Sequence, residues 1–183
     1  MEQFLNSFRK LTLMKFKVSS GLNIQATASG NPNDPLVILL HGGGQTRHAW
    51  GSTAEKLSQA GFYAVAIDLR GHGDSDWSED GDYAIENYKE DLKNIINQLG
   101  KSASLIGASL GGMVSLCTAG DRECSDLCNA LVMVDIGIYP NEEGSNEILK
   151  FMSSGSKGFG SLEEASDSIA VSYTHLRAHE TTN

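Results

Sequence analysis

The sequence predicts an α/β protein built on a mostly parallel sheet flanked by helices. Three observations carry that prediction. Short continuous apolar runs, such as Leu36-Val37-Ile38-Leu39-Leu40 and Ala130-Leu131-Val132-Met133-Val134, read as strands covered on both faces. They alternate with helical patterns, of which Ile85 to Leu99 is the clearest. Polar residues His41, Asp68, Ser109 and Asp135 stand at or just past the ends of successive runs. In open parallel sheets chemistry gathers at the carboxyl ends of the strands, so these side chains are expected along one edge.

The elements follow in order. Lys15 to Ser19 alternates as a half-buried strand, and Leu22 to Ser29 is a second, punctuated by Gly21 and Gly30. The pattern starts directly after Met14, which makes Met14 an alternative start to Met1. Asn31-Pro32-Asn33-Asp34-Pro35 is a turn. Leu36 to Leu40 is the third strand and runs into His41-Gly42-Gly43-Gly44. A helix is expected from Ala49 to Ala60, stopped by Gly61. Phe62 to Leu69 is a buried strand leading into Asp68-Leu69-Arg70-Gly71-His72-Gly73. Ile85, Tyr88, Leu92, Ile95, Ile96 and Leu99 then recur at helical spacing, and Gly100 closes that helix. Ser102 to Ile106 is a strand, an apolar helix follows from Gly112, and Ala130 to Val134 is a further buried strand. After Asn141 the texture changes to two short helical patterns around a Gly/Ser-rich break, the second opened by a capping box at Ser161-Leu162-Glu163-Glu164. The domain reading is a core over residues 1–140, the beginning of a helical cap over 141–170, and a tail over 171–183.

Composition narrows the classes. The chain of 183 residues has one domain's worth of length, a formal charge of -9 and 40% hydrophobic residues. The acidic balance argues against nucleic acid or an anionic membrane as partner. No run of 18 apolar residues is present. Cys117, Cys124 and Cys128 are an odd, sparse set, which argues against a disulfide framework. Cys124 and Cys128 lack a companion His or Cys cluster, so no metal site is expected. A reducing, cytoplasmic setting fits these features. The oligomeric state is left open.

Gly107-Ala108-Ser109-Leu110-Gly111 is the most informative stretch. A serine in a sharp strand-to-helix turn needs small residues two places to either side. The turn lifts its hydroxyl clear of the sheet and sets it at a helix N-terminus, where unspent N–H groups favour negative charge. That is the geometry of a nucleophile.

His41-Gly42-Gly43-Gly44, Asp68 to Ser75, and Gly107 to Gly112, in this order, resemble the α/β-hydrolase fold superfamily. The resemblance runs from about Phe16 to Ala170. It implies an α/β-hydrolase fold truncated after about the sixth strand. It implies Ser109 as nucleophile, with the N–H groups of Gly43 and Leu110 forming the oxyanion hole. Gly44 and Trp50 are the candidate substrate-contacting residues. His41 and His72 are structural in the family's pattern, and His48 is expected on the surface or at the rim of the site. Asp135 stands where some members place the triad carboxylate; most use an aspartate after the seventh strand, so Asp135 is either that acid or a structural, site-lining residue. Asp68 is expected to be structural.

The family places its histidine after the eighth strand, and no such strand pattern follows the cap here. His175 and His179 do not replace it. They lie in Val171-Ser172-Tyr173-Thr174-His175-Leu176-Arg177-Ala178-His179-Glu180-Thr181, which resembles the in-frame translation of a sequencing adapter. The expectation is an N-terminal fragment, inactive by itself, of a cofactor-free serine hydrolase for a small ester, lactone or C–C diketone. A perhydrolase of the haloperoxidase type, an acyltransferase, and a non-catalytic ligand-binding protein on the same fold are the alternatives.

Overall fold

The computed structural model describes residues 11–136, 158, 160–164 and 166–167. The chain divides into two compact units, Met1–Ile136 and Gly137–Asn183.

The first unit is a six-stranded sheet in the order β1-β2-β4-β3-β5-β6. Its strands are β1 (Thr12–Lys17), β2 (Asn23–Ser29), β3 (Leu36–Leu40), β4 (Tyr63–Ile67), β5 (Ala103–Ala108) and β6 (Cys128–Val134). β1 and β2 are an antiparallel pair, and β2 joins β4 antiparallel. β4, β3, β5 and β6 run parallel. The α-helices are α1 (Gly51–Gln59), α2 (Ile85–Leu99) and α3 (Leu110–Gly120). Sequence and structure therefore agree on a mostly parallel sheet flanked by helices.

The two faces follow from the two-residue period of a strand. Leu36, Ile38 and Leu40 join Tyr63, Val65 and Ile67 in the larger core, beneath Leu92, Ile95 and Ile96 of α2 and Val114 of α3. Val37 and Leu39 point the other way and pack with Ala64, Ala66 and Ala54 of α1. Small alanines on this second face let α1 approach closely. α2 ends at Gly100 as the sequence indicates.

Three differences from the sequence reading bear on the fold. β1 begins at Thr12, because Thr12 and Leu13 pair with Ala28 and Thr27 upstream of the alternating run. The first helix opens with a 3-10 turn, Arg47–Trp50, before α1 proper. β6 is not fully buried. Among the described residues it lies at the edge of the sheet, and Val132 and Val134 are 49% and 39% exposed. An apolar run identifies a strand, but it does not say whether a neighbour covers it.

In the second unit, residues 162–164 and 166–167 are helical. Ser161 Oγ accepts from Glu164 N–H at 3.1 Å, and Glu164 Oε2 accepts from Gly160 N–H at 2.7 Å. This is the reciprocal capping that the Ser-x-x-Glu spacing predicts, displaced by one residue on the carboxylate side. The helical pattern around Ile148 to Met152 and the tail over 171–183 lie outside the described residues.

Candidate active site

The chain passes from β3 to β4 on one side and then crosses back to β5 on the other side of β3. Such a switch opens a crevice between β3 and β5 at their carboxyl ends. Leu40 is in register with Gly107 there, so His41 and Ala108 stand at the same level. Asp68 follows Ile67, which is in register with Leu40 on the other flank. Asp135 follows Val134, which is in register with Ala108. The four strand-end residues read from the sequence thus share one edge.

Ser109 occupies the single residue between β5 and α3. Its backbone has φ 46° and ψ -112°, a conformation that non-glycine residues seldom adopt. Close packing enforces it. A Cβ on Gly107 would fall on the carbonyl of Gly111, and a Cβ on Gly111 would fall on the carbonyls of Leu40 and His41. Only glycine fits at either place. Ser109 N–H bonds Val134 O at 3.2 Å, Gly111 N–H bonds His41 O at 3.1 Å, and Met113 N–H bonds Ser109 O at 2.9 Å. The elbow is thereby stitched to both neighbouring strands, and Ser109 itself is exposed. Among the described residues, Leu110 N–H at the first position of α3 has no hydrogen-bond partner.

The loop after β3 is built on His41. Its ring is buried between Gly42 O, which contacts Nδ1 at 2.8 Å, and the N–H of Leu69, which donates to Nε2 at 3.0 Å. A backbone N–H can only donate, so Nε2 accepts and Nδ1 carries the proton. Burial pushes the His41 pKa below the usual histidine range. A charged ring could not accept from Leu69. Both nitrogens are spent on the backbone, so His41 is structural here. His72 packs 5.0 Å from it, ring to ring, and holds Arg70 O through Nδ1 at 3.0 Å.

Gly42 to Gln45 is a tight turn closed by Gln45 N–H to Gly42 O at 3.1 Å. Gly44 lies at φ 73°, the third-position conformation that favours glycine. Gln45 Oε1 accepts from Gly42 N–H at 3.1 Å. Gly43 and Gly44 are exposed, and their N–H groups have no partner among the described residues. A Cβ on Gly42 would lie 3.4 Å from Ser109 Cβ, so this turn and the elbow face each other directly.

Asp68 is buried and fully engaged. It pairs with the guanidinium of Arg47, accepts from Arg47 N–H at 2.6 Å and from Asp74 N–H at 2.9 Å. Arg47 also reaches Asp74 Oδ2 at 2.7 Å and Thr27 Oγ1 at 3.0 Å. Asp68 is therefore a structural strand-end acid, as the sequence indicates. Asp135 sits in the bend after β6 at φ 52°, exposed and level with Ser109. Trp50 packs against the alanine-rich cluster beneath α1, and its indole N–H is buried without a partner among the described residues. His48 is exposed and lines a groove of about 510 Å³ with Leu13, Thr27, Arg47 and Ala54; Ser109 is not part of that groove.

Two features escape sequence reasoning. One is the Gln45 clamp. The other is the buried bidentate pair of Arg70 with Asp91, both contacts at 2.6 Å, with Arg70 also over the Tyr88 ring. Asp91 interrupts the polar face of α2 by being buried, and a charge next to Leu92 in the apolar stripe is the only signal of it.

Residues 35–159 match the family model described as alpha/beta hydrolase fold. The chain belongs to this family. An esterase from Mycobacterium tuberculosis is 40% identical over 103 residues, which is 56% of this chain and 33% of that protein. Protein phosphatase methylesterase 1 from Bos taurus is 32% identical over 136 residues, covering 72% of this chain and 36% of the relative. The crystal structure of an epoxide hydrolase from Vigna radiata superposes with a TM-score of 0.65 at 26% identity, over 73% of this chain and 41% of that one. This alpha/beta hydrolase chain spans about a third of the length of the curated relatives it matches. Among the described residues no helix is long and apolar enough to cross a membrane, and no group of three or more His, Cys, Asp or Glu could hold a metal ion.

Proposed function

We propose that this chain carries the nucleophile half of a serine hydrolase acting on small esters without a cofactor. The observation that carries the reading is the strained, exposed Ser109 at the β3/β5 switch point, facing a glycine turn and opening a helix. Ser109 Oγ attacks the ester carbonyl and its proton passes to a base. The carbonyl oxygen takes up negative charge and accepts hydrogen bonds from the N–H groups of Gly43 and Leu110. Loss of one such donor in comparable enzymes costs about 3–4 kcal/mol of transition-state stabilisation. The tetrahedral species collapses, the alcohol leaves with a proton, and water then releases the acid from the acyl-enzyme. In the family pattern the base is a histidine after the eighth strand. His41 does not substitute for it, since both ring nitrogens are committed. Asp135, level with Ser109, is the candidate acid or a site-lining residue.

The chemistry of serine selects among the relatives' names. Serine attack on an epoxide carbon would give an ether, which water does not readily cleave. Attack on a carbonyl gives an ester, which it does. The esterase and methylesterase relatives therefore fit the elbow of this chain better than the epoxide hydrolases. Lactones and C–C diketones meet the same requirement, and a perhydrolase or acyltransferase differs only in what attacks the acyl-enzyme. Three free thiols fit the cytoplasmic setting that the reading assumes. A small-molecule substrate is the partner it requires. In the full-length protein, Ser109→Ala is expected to abolish turnover of a p-nitrophenyl ester. Retained turnover points instead to another nucleophile, and no turnover by the unmodified protein points to a ligand-binding protein.

A further inference from the structure

Gly42 is the most heavily held residue of the turn that faces Ser109. Its carbonyl receives both His41 Nδ1–H at 2.8 Å and Gln45 N–H at 3.1 Å. Its own N–H goes to Gln45 Oε1 at 3.1 Å. The next two residues, Gly43 and Gly44, have no side chains with which to restrain themselves, and glycine backbone is the most mobile of all. The Gln45 side chain supplies the restraint from the solvent side. Because Gly42 N–H is a donor, the atom facing it is the amide oxygen, and the amide nitrogen faces away. A Cβ placed on Gly42 would lie 3.3 Å from that oxygen and 3.4 Å from Ser109 Cβ. The carboxamide oxygen and the serine Cβ thus both lie in close contact distance of one position.

We propose that Gln45 is a positioning residue of this site, fixing Gly42 so that the Gly43 N–H is held where a developing oxyanion forms. The inference rests on the serine-hydrolase reading. Gln45 does not touch the reacting atoms. It acts by preorganising the donor, which is what gives such a donor its catalytic value.

The test is the rate at which a fluorophosphonate probe labels the full-length protein. In that reaction the Ser109 proton passes to the base, a serine Oγ–P bond forms, fluoride leaves, and negative charge develops transiently on the phosphoryl oxygen. Gln45→Met removes the acceptor at similar side-chain length. Its maximal labelling rate should fall about tenfold, less than the 10²–10³ expected for a donor removed outright. The probe concentration for half-maximal rate should stay unchanged, and so should the thermal midpoint. Gln45→Glu keeps an acceptor for Gly42 N–H but adds a charge that opposes the oxyanion. Its rate relative to the unmodified protein should climb as pH falls from about 8 to about 5, approaching the carboxyl's ordinary value near 4.3. A Gln45→Met variant that labels at the unmodified rate overturns the proposal. So does a Gln45→Glu variant slowed to the same degree as Gln45→Met at every pH. Absence of labelling in the unmodified protein overturns the serine reading, and this role with it.

Discussion

Two regions on one edge of the sheet are held in opposite ways. Around Ser109 the chain is fixed by backbone crowding and glycine. Gly107, Gly111, Leu40 and His41 meet main chain to main chain, and no charged side chain takes part. A few residues away, the loops after β4 are fixed by buried charge. Arg47 pairs with Asp68 and Asp74, and Arg70 pairs with Asp91. The contrast has a physical use. Charged groups beside a nucleophile would bias its chemistry, whereas backbone N–H groups and glycines leave it open, dipolar and accessible. The charged pairs do their holding where no reaction is expected.

Breaking the charged region should cost the most. Asp91→Ala leaves the Arg70 guanidinium buried without its carboxylate, and an uncompensated charge of this kind costs about 3–5 kcal/mol. Urea unfolding of the full-length protein measures it. A loss below about 1 kcal/mol would mean that Arg70 finds water or another partner easily. Gly111→Ala attacks the other region. Its Cβ meets the Leu40 and His41 carbonyls, and overpacking of this kind costs about 1–3 kcal/mol. The same unfolding curves should show that loss, together with loss of probe labelling at Ser109. Labelling that survives it would show the elbow to be less constrained than its packing implies.

A subtler comparison separates strain from chemistry. Ser109→Ala and Ser109→Gly both remove the hydroxyl. At an ordinary position glycine is the less stable of the two. At φ 46° the order should reverse, with glycine more stable by about 1 kcal/mol. An alanine variant more stable than the glycine one would contradict the strain.

The smallest effect is electrostatic. Burial lowers the His41 pKa, so the unfolded chain binds the proton more readily than the folded one. The sign follows from linkage. The His41 contribution to stability is fully present above the unfolded value of about 6.5 and is lost as pH falls below it. A His41→Asn variant should show a flatter decline of thermal midpoint between about pH 6.5 and 5. An unchanged slope would place the acid sensitivity elsewhere.

The sequence made one of these regions legible and hid the other. The elbow could be read because its constraint is local. Gly107 to Gly111 are five consecutive residues of one turn, and the strand before it and the helix after it are written in apolar runs. The pairings of the charged region could not be read. Arg47 meets Asp68, and Arg70 meets Asp91, only after β3 and β4 have paired and α2 has docked. Gln45 was missed for the same reason, since its value lies in a side-chain bond to a glycine and not in any periodic pattern. β6 was read as buried because apolar content identifies a strand without revealing its place in the sheet. Ser109, Asp68 and Asp135 were all expected at strand ends, and all stand there. Their level with one another came only from the register of β3, β4, β5 and β6.

The proposed chemistry stands on Ser109 as the nucleophile of this site. Mapping a fluorophosphonate adduct by peptide mass spectrometry in the full-length protein tests it most directly. One adduct is expected, on the peptide containing Ser109, and it disappears in Ser109→Ala. No adduct, or one that persists in the alanine variant, would contradict it.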